Sequence, residues 1–232
     1  MSLKNRLDED VRKTFRERWE VQSTSSVPAA EDLRLNSNHA KDFEQATVLY
    51  ADLNGSTKMV NQHDWTFSAE VYKTFLRCAA DIIRDEGGTI TAYDGDRVMG
   101  IFTGSAKNTS AVRCALKINF AVLQIIQPAL NNQYSGQNFK VGHIAGIDTS
   151  RLRSARTGVR GDNDLVWIGR AANYAAKLTG VAGRKTWITE DVYDAMHDSV
   201  KYVSGEAMWT KYTWSEMATM TIYGSDYYWR FE

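Results

Sequence analysis

A chain of 232 residues with 28 Lys plus Arg against 28 Asp plus Glu offers no net charge to a phosphate backbone, which argues against a general nucleic-acid binder. Its length suits one good core with trimmings. No apolar run is read as reaching the roughly 18 residues of a membrane span, the N-terminus is charged rather than signal-like, and no Cys or His spacing suits zinc. Cys78 and Cys114 fall inside helical patterns and read as reduced core residues, in keeping with a cytoplasmic protein.

In chain order, Leu3, Leu7, Val11, Phe15 and Trp19 recur every four residues and predict an amphipathic helix. Such a face either packs on the body of its own chain or meets a partner helix in a dimer. Acidic residues interspersed with the basic ones disfavour a membrane surface. Residues 22–30 are Ser- and Ala-rich, hold Pro28 and read as a linker. Residues 45–52 predict a buried strand and 65–84 a helix, closed by Gly87-Gly88. Two β-runs, 89–93 and 97–102, flank Asp94-Gly95-Asp96. Asp-Gly between such runs signals a hairpin, because both turn positions favour positive φ. A second helix is expected over 107–130 and a strand over 139–147. Residues 149–164 carry Arg151, Arg153, Arg156 and Arg160 among glycines and read as a mobile loop. A strand at 165–168, a helix at 171–180, a strand at 185–189 and a short helix at 190–196 follow. The aromatic tail from Tyr202 onward alternates like closing strands, not like a base-stacking platform.

Chemistry concentrates in Ala51-Asp52-Leu53-Asn54-Gly55-Ser56-Thr57, at the end of the first strand. Asp52 supplies charge for a hard cation, Gly55 lets backbone approach closely, and the amides of Ser56 and Thr57 can point at an anion. The same residues could also form an ordinary turn. They do not make a calcium-binding helix–loop–helix, since the twelfth position from Asp52 is His63 rather than Glu. The order β-α-β-β-α-β is a ferredoxin-like α+β pattern. It sets Asp52 and Asp96 face to face across neighbouring central strands. Two carboxylates beside a phosphate-cradling turn read as a two-metal phosphoryl-transfer site, with metals about 3.5–4 Å apart.

With these motifs placed, the sequence resembles the class III nucleotidyl cyclase catalytic domain. Tyr50 to Thr57 resembles that family's Phe-x-Asp-Ile-x-Gly-Phe-Thr block. Gly87-Gly88 through Gly95-Asp96 to Phe102 resembles its Gly-Gly…Gly-Asp…Phe hairpin. Gly169-Arg170-Ala171-Ala172-Asn173-Tyr174-Ala175-Ala176-Lys177-Leu178 resembles its Gly-x-x-Val-Asn-x-Ala-x-Arg-Leu helix. The resemblance implies a cyclase domain over 45–232, preceded by a helix and linker over 1–44. It implies that Asp52, Asp96 and the Leu53 carbonyl hold two Mn²⁺ or Mg²⁺ ions. Asn54, Gly55, Ser56 and Thr57 would take the triphosphate, and Asn173 would orient the ribose. Lys177 stands where the family has its transition-state Arg. The family builds its site at a head-to-tail interface, so a homodimer is implied.

The departures bear on substrate. Ala92 and Val166 occupy the family's two base-reading positions and cannot hydrogen-bond a purine edge, whereas Tyr50 adds a hydroxyl and Arg97 a cation. This resembles the pyrimidine cyclases of bacterial Pycsar anti-phage systems, which make cyclic UMP or cyclic CMP for a downstream receptor. Arg97 donates only, and uracil presents acceptors at O2 and O4, so UTP is favoured over CTP. An adenylate cyclase with an atypical base pocket is the nearest alternative. A non-catalytic nucleotide-binding module is disfavoured by the retention of both Asp52 and Asp96. A diguanylate cyclase is disfavoured because Asp94-Gly95-Asp96-Arg97 lacks that family's Glu.

Overall fold

The computed structural model describes residues 1–231. Helix α1 (Leu3–Arg16) leads into strand β1 (Glu20–Ser23), and β2 (His39–Asn54) follows a short irregular stretch. Then come α2 (Ser56–Gln62), α3 (Trp65–Asp85), the hairpin β3 (Thr89–Asp94) and β4 (Arg97–Phe102), and α4 (Lys107–Ala121). One π turn (Val122–Ile126) joins α4 to α5 (Gln127–Gln133). Strands β5 (Gly142–Val159) and β6 (Asp162–Ile168), helix α6 (Arg170–Leu178), β7 (Thr186–Thr189) and α7 (Glu190–Ala195) follow. A small ladder of β8 (Tyr202–Val203) and β9 (Glu206–Ala207) precedes the closing hairpin β10 (Thr210–Trp214) and β11 (Met220–Ser225).

The main sheet runs β10-β11-β7-β5-β2-β4-β3, with β1 beside β2 and β6 beside β5. Its centre, β5-β2-β4-β3, is the antiparallel ferredoxin-like order expected from the sequence. Side-chain alternation divides it into two faces. Leu49, Ala51, Leu53 and Val98 meet Phe75, Ala79 and Ile83 of α3 and Val112 and Ala115 of α4 in the main core. On the opposite face Val48, Met99 and Ile101 meet Ala171, Ala172 and Ala175 of α6, with Tyr50 and Ala92 at the margin. Gly146 lets α6 lie tight on the sheet: a Cβ there would stand 2.3 Å from the Ala175 carbonyl oxygen and 2.7 Å from Leu178 Cβ.

Several expectations need correction. The first strand starts at His39, not 45, because β1 pairs in parallel with residues 39–42, and the expected linker therefore begins as a strand. The basic stretch 149–164 is not a loop. It forms the outer half of β5, a tight turn at Arg160-Gly161 and the start of β6. Three of its four arginines are held in place: Arg151 and Arg153 pair with Asp42, and Arg156 donates to Asn163 and to the Leu33 carbonyl. Pro128 sits at the start of α5, where it has no N–H to donate to the carbonyl of the preceding turn, and the helix widens into its π turn just before it. By length and composition, the continuous helix Lys107–Gln133 could cross a membrane, contrary to the expectation above. It is instead a packed core helix, with 56% of that window buried.

Helix α1 has no buried residue. Leu3, Leu7, Val11 and Phe15 are all exposed, so its apolar face does not pack on its own chain. It is tied down at its C-terminal end, where the Asn38 amide donates to the Thr14 and Glu17 carbonyls at 2.8 and 2.7 Å.

His143 stands opposite Leu53 in the β2–β5 ladder and is fully enclosed beside Phe75. Burial, with a smaller push from Lys185, lowers its pKa from 6.5 to about 3. Below its ordinary pKa the unfolded chain takes up a proton that the fold refuses. Stability present above pH 6.5 is therefore lost as pH falls toward 3, by up to about 1.4 kcal/mol per pH unit. His143→Phe should flatten this dependence between pH 7.5 and 5 in urea unfolding. An unchanged slope would show that other groups carry it.

Candidate active site

Asp52 lies two residues before the end of β2 on the α6-bearing face, two residues from Tyr50. It pairs with Arg97 in the β2–β4 ladder, which puts Asp96 one residue further along, in the turn. The two-residue turn is Gly95-Asp96, and only Gly95 has a positive φ (62°), so the expectation of two such positions holds for one. Asp96 therefore sits in the turn rather than on a strand, yet it acts on Asp52. Burial first, and the Asp96 charge second, push the Asp52 carboxyl above the ordinary carboxylate range, partly offset by Arg97 and Thr179. Beyond Asp52 the chain turns through Gly55 (φ 81°) into α2, whose first turn has no side-chain cap. The exposed Asn54 and Thr57 and half-buried Ser56 surround that turn.

Arg97 lies over the Tyr50 ring, its guanidinium carbon 5.2 Å from the ring centroid. Its Nη2 donates to Asp94 at 2.7 Å, while its Nε is buried without a partner. Burial raises the Tyr50 phenol above its ordinary pKa, so it keeps its proton at neutral pH. Ala92 packs partly buried on this face. The structure thus gathers Tyr50, Asp52, Leu53, Ala92, Asp96 and Arg97 at one end of β2 and the β3–β4 hairpin.

Asn173 and Lys177, one helical turn apart, are exposed on α6. Among the described residues no hydrogen bond or ion pair joins either to Asp52 or Asp96. Asn173 donates to the Gly169 carbonyl at 3.2 Å, and Lys177 Nζ lies 3.5 Å from Met217 Sδ. Val166 stands on β6, 41% exposed, with Ile168 beside it on the same strand face at 46%. Asn173, Lys177 and Val166 thus make no hydrogen bond or ion pair with the two carboxylates among the described residues.

Two features were not anticipated. Thr179, just past α6, has its hydroxyl oxygen 3.5 Å from Asp52 Oδ2 and donates to the Ala176 carbonyl at 2.8 Å. It follows the third motif immediately, and its distance from Asp52 in sequence hid the contact. Asp148 is wholly buried on β5 and anchors the start of α6. It accepts from Arg170 Nε at 3.0 Å, Arg170 Nη2 at 3.2 Å and Thr189 Oγ1 at 2.6 Å. Ser150 Oγ accepts from the Ala171 amide at 2.9 Å and so caps the same helix.

No protein-family model matches the chain. Solved structures establish the fold class: the adenylyl cyclase CyaB from P. aeruginosa superposes with a TM-score of 0.64 at 19% identity, over 80% of this chain and 95% of that one. The architecture is that of a class III nucleotidyl cyclase domain. A uridylate cyclase of Burkholderia cepacia is 63% identical over 229 residues, covering 99% of both chains. One of Xanthomonas perforans is 48% identical over 232 residues, covering both chains in full. The chain belongs to this uridylate cyclase family and is a nucleotide cyclase.

Proposed function

We propose that the protein converts UTP to 3′,5′-cyclic UMP and pyrophosphate. The ribose 3′-oxygen forms a bond to the α-phosphorus, the bond from that phosphorus to the β-phosphate bridging oxygen breaks, and the hydroxyl proton leaves to solvent. Two Mn²⁺ or Mg²⁺ ions would be held by Asp52, Asp96 and the Leu53 carbonyl. The donor set fits them, since half-buried Asp52 beside a second carboxylate carries repulsion that a dication relieves. Such ions would make the 3′-oxygen nucleophilic and neutralise charge at the α-phosphate. Asn54, Gly55 and the amides of Ser56 and Thr57 would line the triphosphate. The outward aspect of Asn173, Lys177 and Val166 supports a homodimer in which these residues complete the other copy's site. There Asn173 would orient the ribose and Lys177 would offset transition-state charge as a point cation.

The preference for UTP rests on one observation: the buried, unpartnered Arg97 Nε beside Tyr50. A buried donor without a partner favours a ligand with an acceptor there, such as a uracil carbonyl, over the exocyclic amine of cytosine. Arg97→Met keeps length and loses the donors. It should lower kcat/KM for UTP by roughly tenfold or more and for CTP by less. Tyr50→Phe should change base selectivity without changing the fold. Unchanged UTP/CTP ratios in both variants would remove Arg97 and Tyr50 from base recognition. In keeping with the Pycsar resemblance, the product would serve in the cytoplasm as an anti-phage second messenger read by a separate receptor.

A further inference from the structure

The closing hairpin bears on α6. Its tip, residues 215–219, spans β10 and β11. Ala218 (φ 52°) and Thr219 (φ 62°) are consecutive non-glycine residues in the left-handed region, which is unusual for a β-branched side chain. Such a conformation persists where surrounding contacts impose it. The neighbouring Met217 packs, partly buried, against the cluster of Leu178, Trp187, Trp214 and Ile222. Its sulfur faces Lys177 Nζ at 3.5 Å. Among the described residues, Lys177 has no ion-pair partner. Its ammonium is held by a soft, weak acceptor that leaves its charge available.

We infer that Met217 is a positioning residue for Lys177, and that the strained hairpin tip fixes the direction in which this ammonium is presented. The inference rests on the proposed role of Lys177. It also answers a difficulty in that role. A lysine replaces the expected arginine, and a flexible point charge lacks the fork geometry that would orient it unaided. A thioether seated in a packed cluster restricts the lysine without neutralising it. A carboxylate in the same place would compete with the phosphate for the cation.

The test is steady-state kinetics on the full chain with Mn²⁺ and UTP. Met217→Leu retains bulk and packing but removes the sulfur; Met217→Gln restores an acceptor at similar length. Met217→Leu should lower kcat by about three- to tenfold with KM within about twofold, because orientation in the transition state is lost while binding persists. Met217→Gln should recover kcat to within about twofold of wild type. Thermal midpoints that match the wild type in both variants would exclude a purely structural cause. Wild-type kcat in Met217→Leu, or equal losses in Leu and Gln, would overturn the inference. Lys177→Ala separates the two levels. If it retains wild-type kcat, the role of Lys177 itself fails and Met217 has nothing to position. If it loses activity while Met217→Leu does not, only the role of Met217 fails.

Discussion

Replacing either Asp52 or Asp96 by Asn should reduce cyclic nucleotide formation by at least about 10²–10³-fold while leaving the domain folded. Asp52 is half-buried and its carboxyl is held above the ordinary range by burial and by Asp96, so losing one of the two charges removes a repulsion. In the absence of metal, the thermal midpoint should stay level or rise. In the wild type, Mn²⁺ should raise the midpoint by binding the native state alone, and in either variant this rise should shrink. Thermal unfolding with and without Mn²⁺, beside product formation from UTP, measures both effects. Near-wild-type product from either variant would refute a carboxylate-held metal site.

The second large effect concerns Asp148. Its carboxylate is entirely buried, and Arg170 and Thr189 are its partners at the start of the helix bearing Asn173 and Lys177. Removing one member of a buried pair leaves the other without compensation, at a cost of about 3–5 kcal/mol. Arg170 is partly exposed and also pairs with Asp191, so Asp148→Ala should fall near the lower end, about 3 kcal/mol. Asp191→Ala removes an exposed partner and should cost less than about 1 kcal/mol. Urea unfolding of the two variants gives the comparison directly. Similar losses for both would show that burial of Asp148 is not what makes this anchor strong.

The central fold was legible because local signals and global arrangement agree. The apolar run 46–50, the Asp94-Gly95 turn and the alternation of 97–102 each specify one element, and their order admits the ferredoxin-like sheet. The two acidic positions were legible for the same reason: a strand end and a tight turn hold residues at defined places. What escaped the sequence reading was set by long-range partners. Arg151 and Arg153 look like loop residues until Asp42 is seen beside them, and the alternation Leu152, Ser154 that buries the other strand face is masked by charge. Thr179 gains its place near Asp52 only because Gly146 lets α6 lie close on the sheet. Asp148 falls between the strand expected over 139–147 and the loop expected over 149–164, and its role follows from Arg170 and Thr189, 22 and 41 residues away in sequence. The four-residue spacing in α1 located a helix correctly but could not say what its face would meet.

Identification of the product is the most direct test of the proposed uridylate cyclase activity. The purified protein is incubated with Mn²⁺ and each of ATP, GTP, CTP and UTP separately, and cyclic monophosphates are identified by mass. Cyclic UMP as the dominant product is the expected result, with cyclic CMP formed slowly if at all. Cyclic AMP as the main product would leave the cyclase fold standing and contradict the part assigned to Tyr50 and Arg97, and no product from any of the four would contradict the catalytic site itself.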